Sequence, residues 1–307
     1  MKRLLIVYNP RSSRFCDVQR EVLPRIRELR GYVIGKYEVA PTSIEQNITS
    51  LAKVIQDGDL VIAAGGDATG VISANAIIKS TKDATLAALP YGNFNDLART
   101  LGTKTIEDIV GSSDSHRRVT SKLYPLEIIV DGKHWRYATC YVTIGMTAEA
   151  VKLYDSKKMR SKLKTSFGRN VTSYTALMGW YFKHRRKHTF IPEFQLNGTT
   201  QPSGTSDYAA VNGRSMARVM KGREDYMKPK IFRHETDRLA TSFPRLFVLM
   251  AKSIFYRVPG SDTTGDIIEF TNPATVTLQA EGESCKFTNI KKIEIKKDST
   301  CLKVIQN

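Results

Sequence analysis

The stretch at residues 59–70 is the part of this chain that most constrains its fold. It reads DLVIAAGGDATG, in which five apolar residues run into two glycines, an aspartate, a threonine and a third glycine. A continuous apolar run of this kind is typical of a strand buried in a parallel sheet. Glycines at its end leave backbone N–H groups uncovered where a helix begins, and the helix dipole favours an anion there. The stretch therefore predicts a phosphate-binding turn, with an ordinary capped turn as the alternative.

Strand and helix patterns alternate along the first 120 residues. Apolar strands are predicted at residues 4–8, 32–39, 60–64 and 85–89. Helical spacing of apolar residues predicts helices at residues 18–29, 43–56, 71–78 and 95–100. Repeating βα units are typical of a doubly wound parallel sheet, which binds ligands at the carboxyl ends of its strands. We therefore predict an α/β domain over residues 1–121.

The chain beyond residue 121 has a different pattern. Short strand patterns separated by Gly-, Pro- and Asn-rich turns replace the βα alternation. They predict a β-sandwich-like, β-rich domain over residues 122–296, interrupted by two helical stretches. The last residues, about 297–307, are expected to return to the first domain. A chain of 307 residues is long enough for two domains with separate cores.

Positive charge is concentrated in the second region. The formal net charge of the chain is +17, and within residues 152–187 there are 11 basic residues against the single acidic residue Asp155. Such an asymmetric field predicts a polyanionic partner or an anionic membrane surface, with merely solvated charge as the alternative. Aromatic and apolar residues accompany the basic ones in segments 152–188 and 244–257. These two segments are therefore our candidates for contact with a membrane surface.

The sequence also argues against several protein classes. No apolar run approaches the ~20 residues of a membrane span, and the short apolar start is typical of a first strand rather than a signal peptide. The four cysteines have neither CxxC nor Cys/His spacing, so neither a zinc site nor a disulfide framework is predicted. We therefore expect a cytoplasmic protein that associates peripherally with the membrane.

Two further motifs carry polar side chains at the ends of predicted strands. Residues 89–99 read LPYGNFNDLAR, in which Asn93 offers a side-chain amide and Asn95 with Asp96 can cap the helix that follows. Residues 278–283 read LQAEGE, a strand that leads into an acidic tight turn. Both motifs, like the glycine turn, follow apolar strands. They add candidate ligands for a phosphate or a metal ion.

Together and in this order, the three motifs resemble the catalytic family of the diacylglycerol kinases, which includes bacterial lipid kinases and the sphingosine kinases. The resemblance runs nearly end to end. The glycine turn alone would also suit the related NAD kinases, and the segment 89–99 favours the lipid kinases. The resemblance implies a nucleotide-binding first domain, a lipid-substrate second domain, and ATP and Mg²⁺ as cofactors. It implies transfer of the γ-phosphate of ATP to the hydroxyl of a diacylglycerol-like or related lipid.

The resemblance also implies roles for individual residues. Glu283 matches the base that takes the proton from the lipid hydroxyl. Asp67 would act beside the phosphates, where its carboxylate can hold magnesium directly or through water. Asp225 matches a further metal ligand. The residues expected to contact ATP, in addition to Asp67, are Asn9, Thr42, Gly65, Gly66, Ala68, Thr69, Asn93, Asn95 and Asp96.

Other functions stay open at this point. Ala68 stands where the family prefers glycine, which would suit a catalytically impaired homologue that binds nucleotide or anionic lipid as a regulatory module. NAD kinase is an alternative of the same class. A nucleic-acid-binding protein, suggested by the charge, ranks last because no RNP, KH or helix-turn-helix pattern supports it. The sequence does not name the lipid, and it leaves the oligomeric state open, a homodimer included.

Overall fold

A computed structural model of the chain describes residues 2–111, 119–149, 191–201, 205, 207–216, 220–221, 231–235, 261–297 and 300–307, together with residues 175, 178–179 and 182–183. The candidate metal ligand Asp225 lies outside these residues, as do segment 244–257 and nearly all of segment 152–188. The described residues fall into two units. The first contains those of Met1–Pro125 and Asp298–Asn307, and the second contains those of Leu126–Arg223 and Lys230–Lys297.

The helices and strands follow one another in this order along the chain. The strands are β1 (Lys2–Tyr8), β2 (Tyr32–Glu38), β3 (Leu60–Gly65), β4 (Thr85–Pro90), β5 (Val119–Leu123), β6 (Leu126–Val130), β7 (Lys133–Ala138), β8 (Tyr141–Gly145), β9 (Phe194–Leu196), β10 (Thr199–Thr200), β11 (Asp207–Val211), β12 (Ser215–Met216), β13 (Met220–Lys221), β14 (Ile231–Glu235), β15 (Ser261–Thr263), β16 (Gly265–Ala280), β17 (Glu283–Lys297) and β18 (Leu302–Gln306). The helices are α1 (Phe15–Asp17), which continues through a π-helical stretch at Val18–Val22 into α2 (Leu23–Glu28), then α3 (Ile44–Ala52), α4 (Asp67–Ser80), α5 (Asp96–Leu101) and α6 (Ile106–Val110).

Parallel pairing dominates the sheet of the first unit. Among the described residues its strand order is β2-β1-β3-β4-β18-β5, and only β5 runs antiparallel to its neighbour. Strand β3 is buried along its whole length, because its residues are all apolar or glycine and the sheet is covered on both faces. The four strands predicted from the sequence in this unit are present. The predicted α/β fold with a parallel sheet is therefore confirmed.

The helix after the glycine turn begins earlier than predicted. Apolar periodicity starts only at Val71, which is why the sequence predicts a helix at residues 71–78, but α4 already begins at Asp67. Small and polar residues suit the first turn of a helix, because its N–H groups have no intrahelical partners and its side chains need not pack on the core. The two residues that follow Gly66 therefore lie inside the helix rather than in a loop.

The second unit is built on an antiparallel sheet. Among the described residues ten strands join in this sheet, with the main path β15-β14-β11-β8-β16-β17-β6-β7 and with β9 pairing both β10 and β16. Strands β16 and β17 form a long hairpin whose register shifts twice between Glu269 and Val276. Alternating apolar residues from most strands of this sheet form a hydrophobic core of the second unit. The β-rich character predicted for this region is confirmed, and its strands pair antiparallel. Among the described residues, no helix has the length and apolarity needed to cross a membrane.

Asp207, at the start of β11, is a buried carboxylate of the second unit. Its Oδ1 accepts a hydrogen bond from the backbone N–H of Thr147 at 3.1 Å, and the Thr147 hydroxyl donates to its Oδ2. Burial raises the pKa of this carboxyl from its ordinary value of 3.8 to about 7, and the hydrogen bonds from Thr147 oppose that rise. A carboxyl with a raised pKa binds its proton more tightly in the folded chain than in the unfolded chain. Its contribution to stability is therefore full below pH 3.8 and is lost as the pH rises through about 7.

We expect the variant Asp207→Asn to lose this pH dependence. The asparagine amide is neutral at every pH, and it can still accept from the Thr147 N–H and donate to the Thr147 hydroxyl. Urea unfolding at about pH 5.5 and about pH 8.5 measures the free energy of unfolding of both proteins. The difference between variant and wild type should shift in favour of the variant by at least about 1 kcal/mol from the lower to the higher pH. The same difference between the two proteins at both pH values would contradict the prediction.

Candidate functional site

The glycine turn lies where the order of the parallel sheet reverses. Strands β1 and β3 are neighbours, β2 lies beyond β1 and β4 beyond β3, so the chain leaves β1 and β3 in opposite directions along the sheet. Such a switch point opens a crevice at the carboxyl ends of the two strands, and ligands of doubly wound sheets bind there. Gly65 ends β3 at this point, Gly66 caps α4, and Asn9 directly follows β1.

Two glycines bring the loops after β3 and β4 into direct backbone contact. A Cβ atom added to Gly92 would lie 2.2 Å from the Cα of Gly66, closer than any real side chain permits. The backbone N–H of Tyr91 donates to the carbonyl of Gly65 at 3.1 Å. The side chain of Asn95 holds Gly92 from both sides, because its Oδ1 accepts from the Gly92 N–H at 2.6 Å and its Nδ2 donates to the Gly92 carbonyl at 2.9 Å. The two loops thus form one fixed backbone surface.

Asp67 joins the helix after β3 to the helix after β4. It is the first residue of α4, and its carboxylate accepts two backbone N–H groups at the start of α5, that of Asp96 at 2.7 Å and that of Asn95 at 3.2 Å. Asn95 itself adopts a left-handed conformation with φ of 57°, which asparagine tolerates better than most residues. A carboxylate oxygen can accept from more than one donor or metal ion, because it carries two lone pairs. Asp67 is therefore a structural link and a candidate ligand at once.

We expect the variant Asp67→Asn to destabilise the first unit. The amide keeps one acceptor oxygen, so one of the two N–H groups of Asn95 and Asp96 faces an NH₂ group instead. Loss of that partner should lower the free energy of unfolding by about 1–3 kcal/mol. The matched control is Asp83→Asn, an exposed carboxylate paired with Lys303, for which a loss of less than about 1 kcal/mol is expected. Equal losses in urea unfolding of the two variants would contradict the prediction.

The loop after β1 is fastened to the loop after β4. The Ser12 hydroxyl donates to the carbonyl of Tyr91 at 2.7 Å, and the Ser13 hydroxyl donates to Oδ1 of Asn93 at 2.9 Å. The guanidinium of Arg14 lies 5.3 Å from the centre of the Tyr91 ring, within the range of a cation–π contact. The site residues predicted from the sequence do not include these three, because only the strand order makes the two loops neighbours. The signal that the sequence offers for them is the run of polar residues 11–14 directly after Asn9 and Pro10.

Asn9 and Thr42 are held by local hydrogen bonds. Oδ1 of Asn9 accepts from the backbone N–H of Arg11 at 2.9 Å, which forms a tight turn at the end of β1. The hydroxyl of Thr42 accepts from Nδ2 of Asn47 at 3.1 Å, and Asn47 is buried. Asn47 is a supporting residue that sequence reasoning did not single out, since it looks like any polar residue of a helix.

Ala68 and Thr69 lie in the first turn of α4. Ala68 does not adopt a positive φ, so its methyl group imposes no backbone strain where the family prefers glycine. Thr69 is buried under the turn, and a Cβ atom on Gly65 would lie 2.4 Å from its hydroxyl oxygen. A small, open depression adjoins the turn, with Gly66, Asp67 and Leu97 among its lining residues.

Glu283 belongs to the second unit, at the tip of the β16–β17 hairpin. The two turn residues, Glu281 and Gly282, have φ angles of 49° and 88°, as a two-residue turn between right-twisted strands requires. Glu283 follows as the first residue of β17, opposite Ala280, and its side chain is partly exposed. Glu281 is buried, and its carboxylate accepts from the Thr139 hydroxyl and the Cys140 N–H.

The structure brings several of the predicted site residues together at the glycine turn. The Asp67 carboxylate accepts hydrogen bonds from the backbone N–H groups of Asn95 and Asp96, and Asn93, in the same loop as Asn95, accepts one from Ser13 of the loop after β1. Glu283 lies in the other unit, and Asp225 is outside the described residues. Within the part of the chain that the structure describes, no group of three or more His, Cys, Asp or Glu side chains could hold a metal ion by itself.

Comparison with known proteins supports the resemblance that the sequence predicts. The profile of the diacylglycerol kinase catalytic domain matches residues 3–124. Diacylglycerol kinase of Bacillus subtilis (strain 168) is 32% identical over 174 residues, which cover 55% of this chain and 52% of the relative. Diacylglycerol kinase of Staphylococcus carnosus (strain TM300) is 27% identical over 170 residues, which cover 54% of this chain and 51% of the relative. The chain thus matches about half the length of these curated relatives.

Solved structures extend the likeness of fold to the whole chain. One from Bacillus anthracis str. Sterne covers 100% of this chain and 98% of its own, with a TM-score of 0.62 at 17% identity. Another from the same organism, named a diacylglycerol kinase, covers 100% and 97% with a TM-score of 0.58 at 13% identity. At such identities the likeness speaks for the fold alone. The resemblance predicted from the sequence is confirmed: residues 3–124 match the diacylglycerol kinase catalytic domain.

Proposed function

We propose that this protein is an ATP-dependent lipid kinase, which transfers the γ-phosphate of ATP to the hydroxyl of a diacylglycerol-like or related lipid. The observation that carries the proposal is the backbone surface formed by Gly66 and Gly92 and fixed by Asn95 and Asp67. It lies at the switch point of a parallel sheet, within the residues that match the kinase domain. The match of residues 3–124 to the diacylglycerol kinase catalytic domain supports a kinase; the lipid acceptor and the full activity are our proposal.

The residues at the glycine turn fit the phosphates of ATP. Two glycines in backbone contact leave no side chain between an incoming phosphate and the N–H groups at the start of α4, whose dipole favours the negative charge. Oxygen ligands suit magnesium, which usually keeps several waters and binds one or two carboxylates with the substrate phosphates. We propose that Asp67 is such a carboxylate, that Asn9, Thr42 and Asn93 contribute to the rim, and that the buried Thr69 supports the turn from beneath. Bound magnesium would neutralise charge on the phosphates.

We propose that Glu283 is the general base of the reaction. Its carboxylate would take the proton of the lipid hydroxyl as the hydroxyl oxygen bonds to the γ-phosphorus and the bond from that phosphorus to the bridging oxygen of ADP breaks. The position of Glu283 at a hairpin tip with a partly exposed side chain supports this role, because a base must reach its substrate.

We further propose peripheral association with an anionic membrane, because a lipid substrate resides in a bilayer. The argument is the basic and aromatic composition of segments 152–188 and 244–257. Co-sedimentation tests this association with two kinds of vesicle, one of neutral lipid alone and one that contains about one third anionic lipid. Binding is measured at two ionic strengths around 0.1 M. Binding should need the anionic lipid and should weaken with salt. Equal binding to both vesicle types would contradict the proposal.

The decisive experiment is a transfer assay with γ-labelled ATP and magnesium. Diacylglycerol, ceramide, sphingosine and a total lipid extract are offered in mixed micelles, and NAD is offered separately. Label is expected in a lipid, and Glu283→Gln and Asp67→Ala should both abolish it. Label in NAD instead would identify an NAD kinase. Label in no acceptor, with ATP binding intact, would favour an impaired homologue, although the helical conformation of Ala68 removes one argument for that function.

A further inference from the structure

A buried polar cluster lies beside the turn that directly precedes Glu283. It joins the turn between β7 and β8, the end of β11 and the turn between β16 and β17. At its centre is Glu281, of which only 1% is exposed. The Thr139 hydroxyl donates to Oε2 of Glu281 at 2.8 Å, and the Cys140 N–H donates to Oε1. Both carboxylate oxygens are thus bound to a turn some 140 residues earlier in the chain.

The turn that holds Glu281 is itself fixed from the other side. Nδ2 of Asn212 donates to the carbonyl of Thr139 at 2.8 Å. The backbone N–H groups of Asn212 and Gly213 donate to the carbonyl of Cys140 at 2.6 Å and 2.8 Å. Donors and acceptors of Thr139 and Cys140 are therefore engaged on both sides. A buried network of this kind specifies one geometry, because a broken hydrogen bond inside it is not replaced by water.

The backbone conformation of Glu281 is unusual and calls for such support. Its φ of 49° places it in the left-handed region, which Asp, Asn and Gly tolerate better than other residues. Intrinsic preference therefore argues against glutamate at this position. The reach of the longer side chain argues for it, since the carboxylate must extend to the β7–β8 turn. Glu283 lies only two residues further along the chain, so the direction of its side chain follows from the conformation of Glu281 and Gly282.

We propose that Glu281 is a positioning residue, which anchors the hairpin tip so that the Glu283 carboxylate is held in the orientation that phosphoryl transfer requires. The inference rests on the proposed function, in which Glu283 is the base. It assigns Glu281 no contact with substrate or metal. The length of the side chain and the two acceptor oxygens of its carboxylate hold the hairpin tip, and the negative charge contributes less to this anchoring.

Three substitutions of Glu281 separate length, acceptor and charge. Glutamine keeps the length, accepts from the Cys140 N–H and donates to the Thr139 hydroxyl, so a positioning role predicts a loss of kcat below about 5-fold. Aspartate suits the left-handed backbone better, but its side chain is one methylene shorter. Alanine removes the anchoring carboxylate altogether. Both variants should lower kcat by at least about 10-fold and change the KM for ATP by less than about 2-fold. The control Glu269→Ala, exposed on the same hairpin, should leave kcat unchanged.

Amide hydrogen exchange gives a readout that does not depend on activity. Peptides spanning residues 139–140 and 281–283 should exchange at least about tenfold faster in Glu281→Ala than in wild type, while peptides of β1 and β3 exchange alike. Should Glu281→Ala fail to fold, Thr139→Val removes one of the two donors and Thr139→Ser keeps it. Valine should then reproduce the faster exchange and serine should not.

The outcomes distinguish the inference from the proposed function. Wild-type kcat in Glu281→Ala, or unchanged exchange at the hairpin tip, would overturn the inference. A glutamine variant as impaired as the alanine variant would also overturn it, because charge and not anchoring would then be the requirement. A wild-type protein that phosphorylates no lipid would overturn the proposed function alone, and the exchange data would still decide whether Glu281 anchors the turn.

Discussion

Replacing Glu283 by glutamine is expected to lower kcat for lipid phosphorylation by about 10³-fold, which lies within the range that general bases contribute. The amide has nearly the shape of the carboxylate but does not accept a proton at neutral pH. The hydroxyl of the lipid would then attack without losing its proton to the enzyme. Because glutamine keeps the size and the hydrogen-bonding capacity of glutamate, the dissociation constant for ATP should stay within about 2-fold of wild type.

The measurement combines initial rates at saturating lipid with calorimetric titration of ATP. Glu294→Gln is the matched control, since this carboxylate lies on the same strand and is paired with Lys292. It should leave both quantities unchanged. Two results would contradict the prediction. Full activity in Glu283→Gln would remove the residue from the chemistry, and a parallel loss of ATP binding would point to a structural effect.

The sequence predicts the elements of the first unit because their causes are local. Strand β3 follows from an apolar run, and the turn after it follows from two glycines. The start of α4 was predicted at Val71 and lies at Asp67, because periodicity detects only the residues that face the core. A helix whose first turn is made of small and polar residues gives no such signal. The displacement matters for function, since it places Asp67 in the helix.

Contacts between loops could not be predicted in the same way. Ser13 bonds Asn93, 80 residues later, only because β1 and β4 flank β3 in the sheet. The strand order of a doubly wound sheet is not visible in one sequence. Glu281 poses the same problem over a larger separation in sequence, because its partners Thr139 and Cys140 belong to the connection between β7 and β8. Such residues look like ordinary polar residues until the topology is known.

Replacing Gly92 by alanine is expected to separate the two loops that form the glycine turn surface. The new Cβ atom would lie 2.2 Å from the Cα of Gly66 and 2.9 Å from Oδ1 of Asn95. The nearer of these atoms is backbone, so the clash is not relieved by turning a side chain. The loop would move away from Gly66, and the two hydrogen bonds between Gly92 and the Asn95 side chain would be lost with it. We expect the free energy of unfolding to fall by about 3 kcal/mol or more and ATP binding to be lost.

The reciprocal substitution supplies the comparison. An alanine Cβ at Gly66 would lie 3.3 Å from the Cα of Gly92, a contact that a shift of a few tenths of an ångström relieves. Urea unfolding should therefore show a loss below about 1 kcal/mol for Gly66→Ala, against the larger loss for Gly92→Ala. The two residues touch each other, so a general intolerance of side chains at this place would affect both variants equally. The directions of the two Cα–Cβ bonds instead predict unequal losses in the free energy of unfolding, with the larger loss for Gly92→Ala. Equal losses would show that the loops do not meet as described.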